Sequence, residues 1–175
     1  ANNNDWEINM HISQVTNRLY VGGCCGHLES VDDLHRMGIL AVLSMLPVEE
    51  VCGQMMQSDE RDRCGYWQIA WRNVARGDAA DHPFGEIELR ALEWLLPYYQ
   101  RGPVFVHCAG GNNRGPSTAV ALLIMSGELT VDAAIFHVGH AIARYGGHMQ
   151  DYCRSSYIDP VLALWQTQIG DRNAR

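Results

Sequence analysis

The stretch Pro103-Val104-Phe105-Val106-His107-Cys108-Ala109-Gly110-Gly111-Asn112-Asn113-Arg114-Gly115-Pro116 decides how this chain is read. It opens on a continuous apolar run, the pattern of a strand buried on both faces. Gly110-Gly111 break that run. Gly115 to Met125 then reads as a helix, with Pro116 early in its first turn, where proline is tolerated. Cys108 and Arg114 thus close the two ends of a strand–loop–helix junction. None of the other five cysteines has an arginine six positions later.

Such a junction is built to hold an anion. A short loop closing onto a helix N-terminus aims several backbone N–H groups at one point, and the helix dipole adds partial positive charge. Gly110 and Gly111 permit close approach that a Cβ would block. Arg114 offers a planar fork to two phosphate oxygens. A thiol in that field, beside a cation, is favoured as thiolate. Cys108 is therefore read as a nucleophile at the floor of a phosphate cradle. A buried structural cysteine next to a surface arginine would leave the double glycine and Asn112-Asn113 unexplained.

Working outward, Ile12–Val15 and Leu19–Val21 read as strands, and Gly22-Gly23 ends the second. A helix is expected over 30–37, with Ser30 as N-cap and Gly38 as its stop. Leu40–Leu43 and Trp67–Val74 read as strands, while the polar segment 48–65 gives no clear pattern. A loop over 75–83 carries Asp78, Asp81 and His82. Helices are expected over 84–99, with Pro97 kinking or ending the first early, and over 130–145 and 159–168. Strands alternating with helices imply an α/β domain.

Length and composition narrow the function. The 175 residues fit one domain, expected over 12–170, with tails at 1–11 and 171–175. All 13 basic residues are arginine, against 20 acidic ones, for a net charge of −7. The absence of lysine excludes Walker-type nucleotide loops and Schiff-base catalysis. The acidic balance speaks against nucleic-acid or anionic-membrane partners. No run approaches the roughly 18 apolar residues of a membrane span, and no secretory signal is evident. We therefore expect a cytoplasmic chain with mostly reduced thiols, without metal or other cofactor, and monomeric. Cys24-Cys25-Gly26-His27 lacks zinc-knuckle spacing. Either of its thiols is a candidate to resolve an oxidised Cys108.

The segment His107–Arg114 matches the His-Cys-x5-Arg signature of cysteine-based protein phosphatases. The wider chain resembles their small dual-specificity branch, through Tyr20-Val21-Gly22-Gly23, the segment Leu34–Leu43, and Leu129–Ala134. The resemblance implies a central mixed, mostly parallel twisted sheet flanked by helices. It implies a phosphomonoester hydrolase acting on phosphotyrosine and phosphoserine/threonine, in proteins or small phosphoesters. Cys108 would form a phosphocysteine. Arg114 and the amides of Ala109, Gly110, Gly111, Asn112, Asn113 and Arg114 would bind the phosphate, and His107 would tune the thiolate by hydrogen bonding. The general acid is expected on a loop about thirty residues upstream, which selects Asp78, with Asp81 the fallback. Arg76 stands where an aspartate often falls in this branch. Gly115 replaces the usual Ser/Thr hydroxyl, which predicts a slow second step or a hydroxyl supplied from elsewhere. A phosphate-reading module and a sulfur-transfer or thiol-redox enzyme are the competing readings.

Overall fold

A five-stranded sheet organises residues 11–173, which the computed structural model describes. In chain order the elements are β1 (Ile12–Gln14), β2 (Leu19–Gly22), α1 (Leu28–Arg36), β3 (Ala41–Ser44), β4 (Val51–Cys52), β5 (Met55–Met56), α2 (Gln57–Tyr66), β6 (Ala70–Asn73), α3 (Glu86–Arg101), β7 (Val104–His107), α4 (Arg114–Met125), α5 (Val131–Ala143) and α6 (Asp159–Asn173). A π-helical turn, Cys153–Ile158, leads into α6. The order across the sheet is β1-β2-β7-β3-β6. Only β1 is antiparallel; the other pairings are parallel. This is the mixed, mostly parallel sheet the sequence implies. Of the tails expected at 1–11 and 171–175, residues 1–10 and 174–175 lie outside the described residues. Residues 171–173 belong to α6.

Strand alternation sorts the core into two layers. Leu19, Val21, Ala41, Leu43, Val104 and Val106 face α3–α6. Val42 and Phe105 face the other way and meet Val31, Leu34 and Cys64 of α1 and α2. The central strand β7 is buried at all four positions, which is why its sequence is apolar without alternation.

Several local expectations are corrected. α1 begins at Leu28, and Ser30 is buried inside it rather than capping it. Pro97 does not end α3, which runs on to Arg101. Leu92, Leu95 and Tyr99, all fully buried, pack on both sides of the proline and hold the helix together. The strand expected over 67–74 shortens to β6, because Gln68 takes a positive φ and Ile69 N–H bonds back to the Cys64 carbonyl at 2.9 Å. The unread segment 48–65 holds β4, β5 and α2. The buried positions of α2 are Gln57, Glu60 and Cys64. Their spacing is helical, but two of the three are polar, so no apolar period shows.

The sheet's carboxyl ends meet at one place. Met45 N–H donates to the His107 carbonyl at 2.8 Å, and Cys108 N–H points to the Gly22 carbonyl at 3.4 Å. The loop after β7 lies against β2 through glycines. Gly111 has φ +71°, and a Cβ there would sit 2.7 Å from the backbone of Gly22. Gly111→Ala is therefore expected to destabilise the protein by about 1–3 kcal/mol from backbone strain and displacement of β2. Urea unfolding of the variant against the parent checks this.

Candidate active site

The six residues from Cys108 to Asn113 connect β7 to α4, as the sequence predicts. The loop thus sits at the carboxyl end of the central strand, where open α/β sheets bind ligands. Cys108 is 2% exposed and Arg114 7% exposed. The Arg114 guanidinium is held from two sides. Its Nη1 donates to the Met45 carbonyl at 3.1 Å and to the Arg76 carbonyl. Its Nε is buried without a hydrogen-bond partner among the described residues. A buried charged donor left unmet costs on the order of 1–3 kcal/mol or more. An oxyanion in the loop would satisfy it.

The loop before α3 supplies the carboxylate. Asp78 Oδ2 accepts from Asn113 Nδ2 at 2.9 Å. Its Oδ1 accepts from the hydroxyls of Tyr157 at 2.9 Å and Tyr152 at 3.0 Å. Burial alone would raise the Asp78 pKa. The donors Asn113, Tyr157 and Tyr152, with the charge of Arg114, outweigh it and hold the carboxyl below its usual range. The two tyrosines respond in the opposite sense. Burial and the adjacent carboxylate push both phenols up. Asp81 has none of these ties. It is 85% exposed, and among the described residues its ion-pair neighbour is His82 at 4.0 Å. Among the two aspartates, the structure brings Asp78 to the loop and leaves Asp81 in solvent.

Arg76 does not face the loop where an aspartate is expected. Its side chain turns away to Glu88, with Nε–Oε1 at 2.7 Å, while its carbonyl meets Arg114. Glu88 is itself buried and also accepts Gly85 N–H at 2.7 Å. The arginine therefore anchors the acid loop to α3, and the carboxylate comes two residues later.

Asn112 and Asn113 are bound by more than their loop. Asn113 Oδ1 accepts Gln150 N–H at 3.1 Å and the Cys153 thiol at 3.4 Å. Asn112 Oδ1 accepts His148 N–H at 3.4 Å. These bonds tie the segment after α5 to the loop. Sequence reading missed Tyr152, Tyr157 and Glu60. The tyrosines lie about forty residues past the loop, and only the chain's return through the π-helical turn brings them to Asp78.

His107 makes its side-chain hydrogen bond away from the loop. Strand alternation puts its side chain on the face opposite Cys108, stacked on Phe105 with ring centroids 5.3 Å apart. Its Nε2 bonds Glu60 Oε1 at 2.8 Å, so it makes no direct hydrogen bond to the Cys108 thiol. Gly115 lies under the nucleophile, and a Cβ there would stand 3.4 Å from the Cys108 nitrogen. Neither nearby hydroxyl replaces it. Thr118 Oγ1 donates to the Arg114 carbonyl at 2.8 Å, and Ser117 lies against Cys153.

The thiols also differ from expectation. Cys24 and Cys52 form a disulfide, tying the residue after Gly23 to the β4–β5 hairpin. Cys24 N–H donates to the Ala109 carbonyl at 3.1 Å, so this bond borders the loop. Cys25 is fully buried, and its thiol bonds Glu60 on the other face. Neither thiol is placed to resolve Cys108. Cys153 lies in the same core layer as Cys108 and interacts electrostatically with it. Among the described residues, no group of three or more His, Cys, Asp or Glu could hold a metal ion, and no helix is long and apolar enough to cross a membrane.

No protein-family model and no curated protein matches the sequence. Solved structures do match the fold. Tk-PTP in its active form superposes with a TM-score of 0.66 at 18% identity, covering 86% of this chain and 94% of that one. TpbA of P. aeruginosa, also solved with pTyr, gives 0.62 at 23%, covering 87% and 89%. PTPMT1 in complex with PI(5)P gives 0.65 at 14%, covering 93% and 98%. The chain therefore has the fold of the tyrosine and dual-specificity phosphatases.

The Asp78 cluster yields a direct test. Tyr157→Phe removes one donor without changing the buried ring. The Asp78 pKa should rise toward the usual carboxylate range, read by carboxyl ¹³C titration. Because the folded pKa of Asp78 is depressed, its stabilising contribution is present above the unfolded value and lost as pH falls through the folded one. In the variant that acid-side loss begins at higher pH.

Proposed function

We propose that this chain, with its dual-specificity phosphatase fold, is a metal-independent phosphomonoester hydrolase working through a phosphocysteine. The observation that carries this reading is the buried Arg114 Nε, without a hydrogen-bond partner among the described residues, at the end of the loop that begins at the buried Cys108. A dianionic phosphoryl group supplies the acceptor that the protein does not. The amides of Ala109 to Arg114 and the start of α4 add donors to the same oxygens.

The chemistry follows from the parts. The Cys108 thiolate attacks phosphorus, an S–P bond forms, and the ester P–O bond breaks. Asp78, in the protonated form that its lowered pKa makes the minority and that acid pH favours, gives its proton to the departing oxygen. The resulting carboxylate takes a proton from water, whose oxygen attacks phosphorus. The S–P bond breaks and phosphate leaves, restoring the thiolate. Arg114 stabilises the equatorial charge in both steps. Asn113, Tyr152 and Tyr157 hold Asp78 at the loop.

Substrates are phosphotyrosine and phosphoserine/threonine residues or small phosphoesters. The variable loop positions Ala109, Gly110, Asn112 and Asn113 are neutral, which favours monophosphates over polyphosphorylated lipids. The net charge of −7 supports neither nucleic-acid nor anionic-membrane partners. The Cys24–Cys52 bond is of a kind that persists in oxidising compartments. It argues for such a compartment over the cytoplasm that the free thiols alone would favour.

Gly115 supports a second reading, a phosphate reader with slow turnover, because no hydroxyl stands where the thiolate leaves. Hydrolysis of p-nitrophenyl phosphate from pH 4 to 9 in EDTA separates the two. The hydrolase reading expects metal-independent activity that Cys108→Ser abolishes. Asp78→Asn should lower kcat by about 10²-fold or more and remove the basic limb of the profile. Asp81→Asn should leave both unchanged. Gly115→Ser should raise kcat if breakdown of the phosphocysteine limits turnover. An inactive parent that still binds phosphate would favour the reader.

A further inference from the structure

The chemistry above makes no use of one buried acid. Glu60 and His107 are both fully buried, and they are joined Oε1 to Nε2 at 2.8 Å. The same Oε1 accepts the Trp71 indole N–H at 2.8 Å, and the Cys25 thiol bonds the carboxyl as well. Donors thus reach Glu60 from β7, β6 and the loop after β2. Burial alone would push the carboxyl up; the His107 charge and these bonds hold it below its usual range. Cys64, one turn along α2, is the other titratable group facing the cluster, and burial beside Glu60 pushes it up.

A buried carboxylate is costly, and a well-packed apolar side chain in its place would often be more stable. The position of the pair shows what it can do. His107 precedes Cys108, and its carbonyl accepts Met45 N–H at 2.8 Å. The Met45 carbonyl in turn receives Arg114 Nη1 at 3.1 Å. His107 is also registered against Gly22 and Ser44 across the two neighbouring strands. The strand end that presents the thiol and the carbonyl that holds the guanidinium both hang on this one residue.

We propose that Glu60 is a positioning residue for the phosphate loop. It locks the His107 ring with a proton on Nε2, and through His107 it fixes the geometry of Cys108 and Arg114. The proposal rests on the reading of those two residues as nucleophile and phosphate-binding group. Its test does not require turnover.

Cys108 alkylation by iodoacetamide between pH 6 and 8 is measured in Glu60→Gln, His107→Asn and the double variant, alongside kcat and KM for p-nitrophenyl phosphate. Glu60→Gln should change the alkylation rate and lower kcat by about tenfold to a hundredfold, since small misplacements of reacting groups carry such costs. KM should change less. In the His107→Asn background the Glu60 change should add nothing. A folded Glu60→Gln protein with unaltered alkylation and kcat would overturn the proposal, as would full additivity of the two substitutions. Should Glu60→Gln fail to fold, ¹⁵N spectra of the wild-type ring decide. A proton on Nε2, hydrogen-bonded to a carboxylate, is expected, and a ring protonated only on Nδ1 contradicts the proposal. A chain that hydrolyses no phosphoester, yet whose Cys108 alkylation still depends on Glu60 through His107, would remove the hydrolase reading and uphold the positioning role.

Discussion

An arginine that is only 7% exposed must find oxygen atoms around its guanidinium, and Arg114 finds them on two separate loops. The Met45 carbonyl follows β3, and the Arg76 carbonyl follows β6. Both strands run parallel to β7 and end on the same side of the sheet. One side chain therefore draws the Cys108–Asn113 loop, the Asp78 loop and the end of β3 to a common point. The Arg114 Nε–H is buried without a hydrogen-bond partner among the described residues. The acid loop's own anchor, Arg76 to Glu88, and the Asp78 bonds to Asn113, Tyr152 and Tyr157 complete the enclosure.

The two faces of the sheet divide the work. On one face, α3–α6 build the core that carries Cys108, Cys153 and the Asp78 tyrosines. On the other, α1 and α2 bury a polar cluster of Glu60, His107, Trp71 and Cys25. The central strand belongs to both. Alternation along β7 sends His107 one way and Cys108 the other, so the Glu60–His107 pair and the Cys108 thiol lie on opposite faces, joined through the backbone of β7.

Much of this was legible in the sequence because it rests on local pattern. The apolar run of β7, the double glycine and the arginine opening α4 define the loop without tertiary information. Asp78 was chosen by distance along the chain from Cys108, and the structure brings it to the loop. What stayed hidden depends on long-range return of the chain. Tyr152 and Tyr157 are ordinary aromatics until the π-helical turn brings them to Asp78. Glu60 sits in a helix whose buried face is mostly polar, so no apolar period announced it. The direction of the His107 side chain was open to inference from alternation. The resemblance implies only that His107 tunes the thiolate by hydrogen bonding, without naming its partner. The Cys24–Cys52 pairing joins elements 28 residues apart, and six cysteines allow too many pairings for sequence to choose among.

The central claim is that Cys108 carries the phosphoryl group. Rapid acid quench of the protein during turnover of a phosphoester, followed by peptide mass spectrometry, tests it most directly. The account predicts one added phosphoryl group on the peptide containing Cys108, accumulating because Gly115 leaves the second step unassisted. The label should be absent from Cys108→Ser. Hydrolysis proceeding with Cys108 never modified, or a phosphoryl group carried on another residue, would contradict it.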